Sequence, residues 1–226
     1  EEISGGKSSN NQEILLSWLK ETKKKWRSNT TVQKENFKLL PTIASQCITF
    51  GVSHFVMLGF LPHYEWSKDV NKQKEVAVHP EELRPWIENA ADLLERTNTE
   101  FTIRYSPLCH LHQKYWKYVV NALYVAYDPW EWCYNGVFPR ASKIEIMKNA
   151  FNIGNQVAIQ GNPCSQCAVK LHCGGWNKVY ANAFSGAKLK AIKADDVFGE
   201  DKKHLDEFGY FFKQNPANTG KGFYAC

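Results

Sequence analysis

Apolar residues recur at helical spacing between Asn10 and Arg27, where Ile14, Leu15, Trp18 and Leu19 share one face. A short strand is expected at Asn29-Thr30-Thr31-Val32. A second helix follows from about Lys34 to Phe50, with Phe37, Leu40, Ile43, Ala44, Cys47 and Ile48 in register and Gly51 as its stop. His54 to Phe60 is then nearly unbroken in apolar character. Such a strand needs cover on both faces, as in a parallel sheet flanked by helices. The polar stretch from His63 to His79 reads as a long loop. Pro80, with Glu81 and Glu82 behind it, opens a helix that continues through Trp86, Ile87, Ala90 and Leu94. Phe101 to Tyr105 is the third strand, stopped by Pro107.

Strand, helix, strand, helix, strand at this spacing is the pattern of right-handed β/α units. Three strands cannot close a barrel, so the chain is expected to be part of a larger α/β structure with a tail attached. After Cys109 the character changes. Tyr115 to Tyr127 carries an aromatic helical pattern ending at Asp128-Pro129, and Trp130 to Tyr134 is dense in aromatic residues. A helix from about Ser142 to Ile153, a short strand from Gln156 to Ile159 and a short helix from Trp176 to Phe184 complete the pattern. From Gly186 onward periodicity is weak, which predicts a loosely packed tail. The expected units are residues 1–108, 109–185 and 186–226.

Composition excludes few classes. The chain has 226 residues, 43% hydrophobic and 23% charged, enough apolar material for a core and unlike a disordered chain. Twenty-eight basic against 23 acidic residues leave a net charge of +5. The densest run, Lys23-Lys24-Lys25 with Arg27, falls where the first helix should end and complements its dipole. A nucleic-acid surface would need a broader stripe, and no run of 18 apolar residues predicts a membrane span. The chain opens on Glu1-Glu2 with neither Met nor a signal-peptide pattern, so further upstream sequence is expected. The segment Ile3 to Ser8 evokes a phosphate loop, yet that motif needs glycine where Glu1 stands. No nucleophile lies in a recognisable hydrolase elbow.

The cysteines are more informative. There are seven, an odd number in a chain long enough to build its own core, which argues against a secreted disulfide framework. Three crowd into Cys164-Ser165-Gln166-Cys167-Ala168-Val169-Lys170-Leu171-His172-Cys173-Gly174-Gly175. Two thiolates separated by two residues can bend toward one centre, and a third five residues on can close upon it. Amides brought near by Gly174 and Gly175 can hydrogen-bond the sulfurs. A fourth ligand must come from elsewhere, and Cys109, just past the third strand, is the best donor for an iron–sulfur cluster. Zinc, with His172 or Cys109 as fourth ligand, fits the same spacing. Cys47 falls on the apolar face of a helix and reads as core. His110 and His112 read as outer-sphere or surface residues, and Cys133 and Cys226 have no partner that sequence can name.

Taken together, these residues resemble the C-terminal part of a radical S-adenosylmethionine enzyme with a SPASM/twitch-like auxiliary cluster domain. Asn29 to Val32 with Glu35 to Pro41 resembles the fourth strand and following helix of that family's barrel. Gly51 to Pro62 resembles its fifth strand and Phe101 to Cys109 its sixth. The C-x2-C-x5-C-G-G loop with its partner Cys109 resembles the extension that binds an auxiliary [4Fe–4S] cluster. The resemblance spans about residues 29 to 184. It implies an α/β fold: the C-terminal half of a partial (β/α)6 TIM-like barrel plus a cysteine-rich, cluster-binding extension.

It also implies that Cys109, Cys164, Cys167 and Cys173 hold the cluster, while Asn29 and Thr31 face S-adenosyl-L-methionine. His63, Tyr64 and Glu65, in the loop with Trp66, would face a substrate whose identity is open; the aromatic content suits a peptide and a buried core equally. The family's CxxxCxxC loop is not among these 226 residues. Reductive cleavage of the cofactor is therefore expected to need an N-terminal half, upstream in the same chain or on another one. Two readings from other classes stay open: a zinc-stapled structural module, and an electron-transfer iron–sulfur protein. The expected setting is the cytoplasm, with neither membrane nor nucleic acid as partner.

Overall fold

A computed structural model describes residues 8–59, 69–120, 158–159, 161–173, 175–184 and 189–198. At its centre lies a sheet in the order β1 (Arg27–Val32), β2 (His54–Gly59), β3 (Glu100–Arg104), β4 (Val119–Val120). Every neighbouring pair is parallel. The molecule is thus mixed α/β with a small parallel sheet, as the alternating pattern predicts.

Parallel strands need crossovers, and helices supply the first two. Helix α1 (Ser8–Thr22) precedes β1; α2 (Leu40–Thr49) joins β1 to β2; α3 (Val70–Val76) and α4 (Pro80–Arg96) lie between β2 and β3. Register sets which side chains share a face. Thr30, Met57, Ile103 and Val119 align across the sheet, and Val32, Phe55 and Phe101 point the same way. That face packs on Leu40 and Ala44 of α2 and on Leu83, Ile87, Ala90, Ala91 and Leu94 of α4. Spacing of three and four residues puts all five α4 residues on one stripe. Burying each Leu or Ile there contributes about 1.5–3 kcal/mol.

The opposite face has another chemistry. Asn29, Val56 and Thr102 form one row across it, and Thr31, Leu58 and Arg104 the next. His54, Thr102 and Arg104 are buried on this face, and His54 Nε2 lies 3.1 Å from Thr102 Oγ1. Asn29 and Thr31 are exposed.

Several boundaries differ from the sequence reading. Helix α1 ends at Thr22 because Lys23 adopts φ 51, and Arg27 belongs to β1. Lys23 to Lys25 therefore lie past the helix rather than in its last turn; Lys24 instead sits 5.0 Å from the Trp18 ring centre. The apolar face of α1 is not covered by described residues, with Ile14 68% and Trp18 45% exposed. Helix α2 starts at Leu40, not Lys34, because Pro41 suits a first turn, and a 3₁₀ turn at Phe37–Leu39 precedes it. Gly51, at φ 75, ends it as expected.

The expected loop from His63 to His79 contains α3. Asp69 caps this helix by accepting from the amides of Asn71 (2.9 Å) and Lys72 (3.3 Å), a local device that mean polarity conceals. The helix expected from Tyr115 is instead a 3₁₀ turn at Gln113–Tyr118 leading into β4. Sheet pairing with β3 overrides the helical period there.

A two-stranded antiparallel ribbon joins β5 (Ala158–Ile159) to β6 (Trp176–Asn177). Short helices α5 (Lys170–Cys173), α6 (Lys178–Ala183) and α7 (Ala194–Phe198) lie around it in sequence. Trp176 thus begins in a strand, and the helix expected there starts at Lys178. The aromatic stretch Trp130 to Tyr134 and the helix expected from Ser142 lie outside the described residues. Among the described residues no helix is long and apolar enough to cross a membrane.

Candidate metal centre

Cys109 is delivered by the chain leaving β3. Tyr105 turns at φ 63, and a 3₁₀ turn at Leu108–His110 follows. Leu108 is fully buried, and the indole N–H of Trp116 donates to its carbonyl at 2.8 Å and to that of Leu111 at 3.2 Å. An apolar plug and a bifurcated hydrogen bond thus hold the turn that carries the sulfur.

The other three cysteines come from one loop with its own scaffold. A 3₁₀ turn at Asn162–Gln166 presents Cys164; its amide donates to the Gly161 carbonyl at 2.9 Å, and the Cys167 amide donates to the Cys164 carbonyl at 3.2 Å. Val169, 1% exposed, anchors the loop in the main core. Cys173 closes α5, and Gly175 follows at φ 90, a conformation that strains any residue with a Cβ.

All four sulfur-bearing residues line one pocket with Val169, Lys170, Gly175, Leu189, Lys190 and Ile192. The Leu108 amide donates to Cys173 Sγ at 3.4 Å, joining the strand end to the cysteine loop. Burial pushes the Cys173 thiol up to about 11; the amides of Leu108 and Gly175 act against it, and nearby Cys109 and Cys167 add to it. Burial likewise raises Cys109, opposed by the Lys190 backbone N–H and reinforced by Cys164 and Cys167. Neither is in a disulfide, nor are Cys47, Cys164 and Cys167.

This donor set suits a thiophilic metal or cluster. A bound cation would reverse the electrostatics and deprotonate the thiols outright. Among the described residues no group of three or more His, Cys, Asp or Glu is placed to hold a single metal ion. A four-iron cluster asks for something different, one sulfur at each corner of a larger object.

The remaining sequence candidates lie elsewhere. Asn29 and Thr31 stand on the edge strand β1, two strand spacings (~10 Å) from β3. His63, Tyr64 and Glu65, with Trp66, are outside the described residues. His110 stacks edge-on against Trp176 at 5.2 Å, and the His112 ring accepts from the Lys114 amide at 3.4 Å. Cys47 packs against the main core from α2, with its thiol raised by burial.

Two groups escaped the sequence reading. Arg104 and the His54–Thr102 pair occupy the same face as Asn29 and Thr31; the alternation of polar Thr102 and Arg104 with apolar Phe101 and Ile103 carried that signal. The other group is the pocket wall at Leu189, Lys190 and Ile192, from a stretch whose weak periodicity suggested loose packing. Ile192 is 9% exposed and belongs to the main core. No family model, curated protein or solved structure matches the chain.

Proposed function

We propose that the chain binds an auxiliary [4Fe–4S] cluster through Cys109, Cys164, Cys167 and Cys173, and that it forms the C-terminal part of a radical S-adenosylmethionine enzyme. The observation that carries this reading is the convergence of four cysteines on one pocket beside the carboxyl end of a parallel strand. Carboxyl ends of parallel strands are where α/β scaffolds present functional groups. Amides of Leu108 and Gly175 reach Cys173, and that of Lys190 reaches Cys109, donors that would hydrogen-bond cluster-bound sulfurs.

When bound, the cluster would supply a one-electron couple. Four cysteine ligands leave no iron open to substrate, so relaying an electron or bracing the fold suits it better than binding substrate. The finer architecture, the C-terminal half of a partial (β/α)6 barrel, is part of the proposal. Its support is the sequential parallel order β1-β2-β3 with helices on one face and Asn29, Thr31, Thr102 and Arg104 on the other. Asn29 and Thr31 would then hydrogen-bond S-adenosyl-L-methionine, and the loop bearing His63, Tyr64 and Glu65 would face the substrate. Cleavage of the cofactor falls to an N-terminal half outside these residues. Five cysteines outside any disulfide suit the reducing cytoplasm.

The test is anaerobic analysis of iron, acid-labile sulfide and zinc in the purified chain and in Cys109→Ala and Cys164→Ala. Near-stoichiometric cubane iron and sulfide, lost in both variants, is the expected result. Zinc without sulfide would overturn it and leave a structural metal module.

A further inference from the structure

The wall of the cysteine pocket farthest along the chain is a strap, residues 189–193, pinned at several points. The Ala168 amide, one residue after Cys167, donates to the Ile192 carbonyl at 2.9 Å. Ile192 is buried in the main core, and beyond it Gln113 Nε2 donates to the Val197 carbonyl at 3.2 Å. Just before these anchors Lys190 lines the pocket and turns its backbone N–H toward the Cys109 sulfur, while its side chain is exposed. Lys170 also lines the pocket, and no carboxylate lines it among the described residues.

Four thiolates around a cluster are strongly negative, and reduction adds one more negative charge. A cation or an N–H dipole beside the sulfurs therefore favours the reduced state more than the oxidised one. We propose that Lys190 is the residue that tunes the reduction potential of this centre, through its amide on Cys109 and the positive charge of its side chain. Lys170 adds to the same field. This inference rests on the cluster reading above and assigns a role to a segment that reading does not use.

The experiment is a potentiometric titration of the whole chain loaded anaerobically with ferrous iron and sulfide, with both elements counted in each sample. Lys190→Met removes the charge and keeps the amide; Lys190→Glu reverses the charge; Lys190→Pro removes amide donor and charge together. At an effective dielectric near 20, a unit charge about 12 Å from the cluster is worth about a tenfold change in the reduced-to-oxidised ratio. For a one-electron couple that is about 59 mV. The midpoint should fall in Lys190→Met, and fall further in both Lys190→Glu and Lys190→Pro. Fully loaded Lys190→Met and Lys190→Glu proteins titrating with the unaltered chain would overturn the inference and leave the cluster reading standing. Should Lys190→Pro fail to load, those two variants decide, since neither alters the backbone. Zinc without sulfide in the unaltered chain would overturn both, because zinc has no redox couple to tune.

Discussion

The backbone N–H of Leu108 donates to Cys173 Sγ at 3.4 Å across 65 positions of sequence. One residue thereby serves two purposes: its side chain is a fully buried plug beside β3, and its amide faces a sulfur of the cysteine loop. The contact couples the stability of the α/β core to the geometry of the candidate centre. Leu108→Ala should lower unfolding stability by about 2–5 kcal/mol, the range for truncating a buried Leu. It should also weaken metal retention against a chelator. Chemical denaturation and chelator competition on the same variant would check both, and unchanged retention would show that the loop holds its shape without the plug.

A second connection fastens the segment after Cys109. Tyr115 and Lys114 both donate to Asp92 Oδ1 at 2.7 Å, and one turn along α4 Tyr118 and Lys117 donate to Glu95 Oε1 at 2.6 and 3.2 Å. The amide of His112 donates to Glu88 Oε1 at 2.7 Å. Three carboxylates on one stripe of α4 therefore clamp the 3₁₀ turn that follows Cys109. Tyr115 is buried, so Tyr115→Phe should cost about 1 kcal/mol. Lys114 is exposed, and Lys114→Met should change stability far less. Thermal melts of the two variants would reveal whether the tyrosine hydroxyl or the surface ion pair dominates.

Gly175 sets the backbone where its amide meets Cys173. At φ 90 a Cβ is strained, so Gly175→Ala should destabilise the loop by about 1–2 kcal/mol. It should also slow metal uptake, while leaving the far-ultraviolet dichroism of the sheet and helices unchanged. Uptake as fast as in the unaltered chain would detach the amide from any role at the sulfur.

The raised thiols carry a pH signature. Cys173 binds its proton more tightly folded than unfolded, with a folded value of about 11 against an ordinary 9.0. The metal-free chain should therefore hold this contribution below pH 9, lose it as pH rises toward 11 and be flat beyond, a change of about 3 kcal/mol. Metal binding must expel the same proton, so uptake should weaken as pH falls. Urea melts of the metal-free chain between pH 8 and 11, beside Cys173→Ala, isolate the effect; equal slopes would assign it to other groups.

Sequence alone carried the parallel α/β order, because each unit announces itself locally. The apolar run at His54 to Gly59 and the α4 stripe of Leu83, Ile87, Ala90, Ala91 and Leu94 are periodic patterns that need no partner to be recognised. The cysteine spacing and the position of Cys109 just past a strand end were legible for the same reason, being short-range patterns. Tertiary structure decided the rest. Burial and pairing turned the helical pattern at Tyr115 into a 3₁₀ turn and a strand, since a hydrogen-bonded neighbour outweighs intrinsic period. Register alone put Arg104 on the face of Asn29 and Thr31. The strap of Lys190 and Ile192 is held at the pocket by the Ala168 amide on the Ile192 carbonyl and by burial of Ile192 in the main core, contacts that no local pattern of residues 189–193 encodes. Periodicity reports which face of an element is apolar, and only the packed chain determines what that face meets.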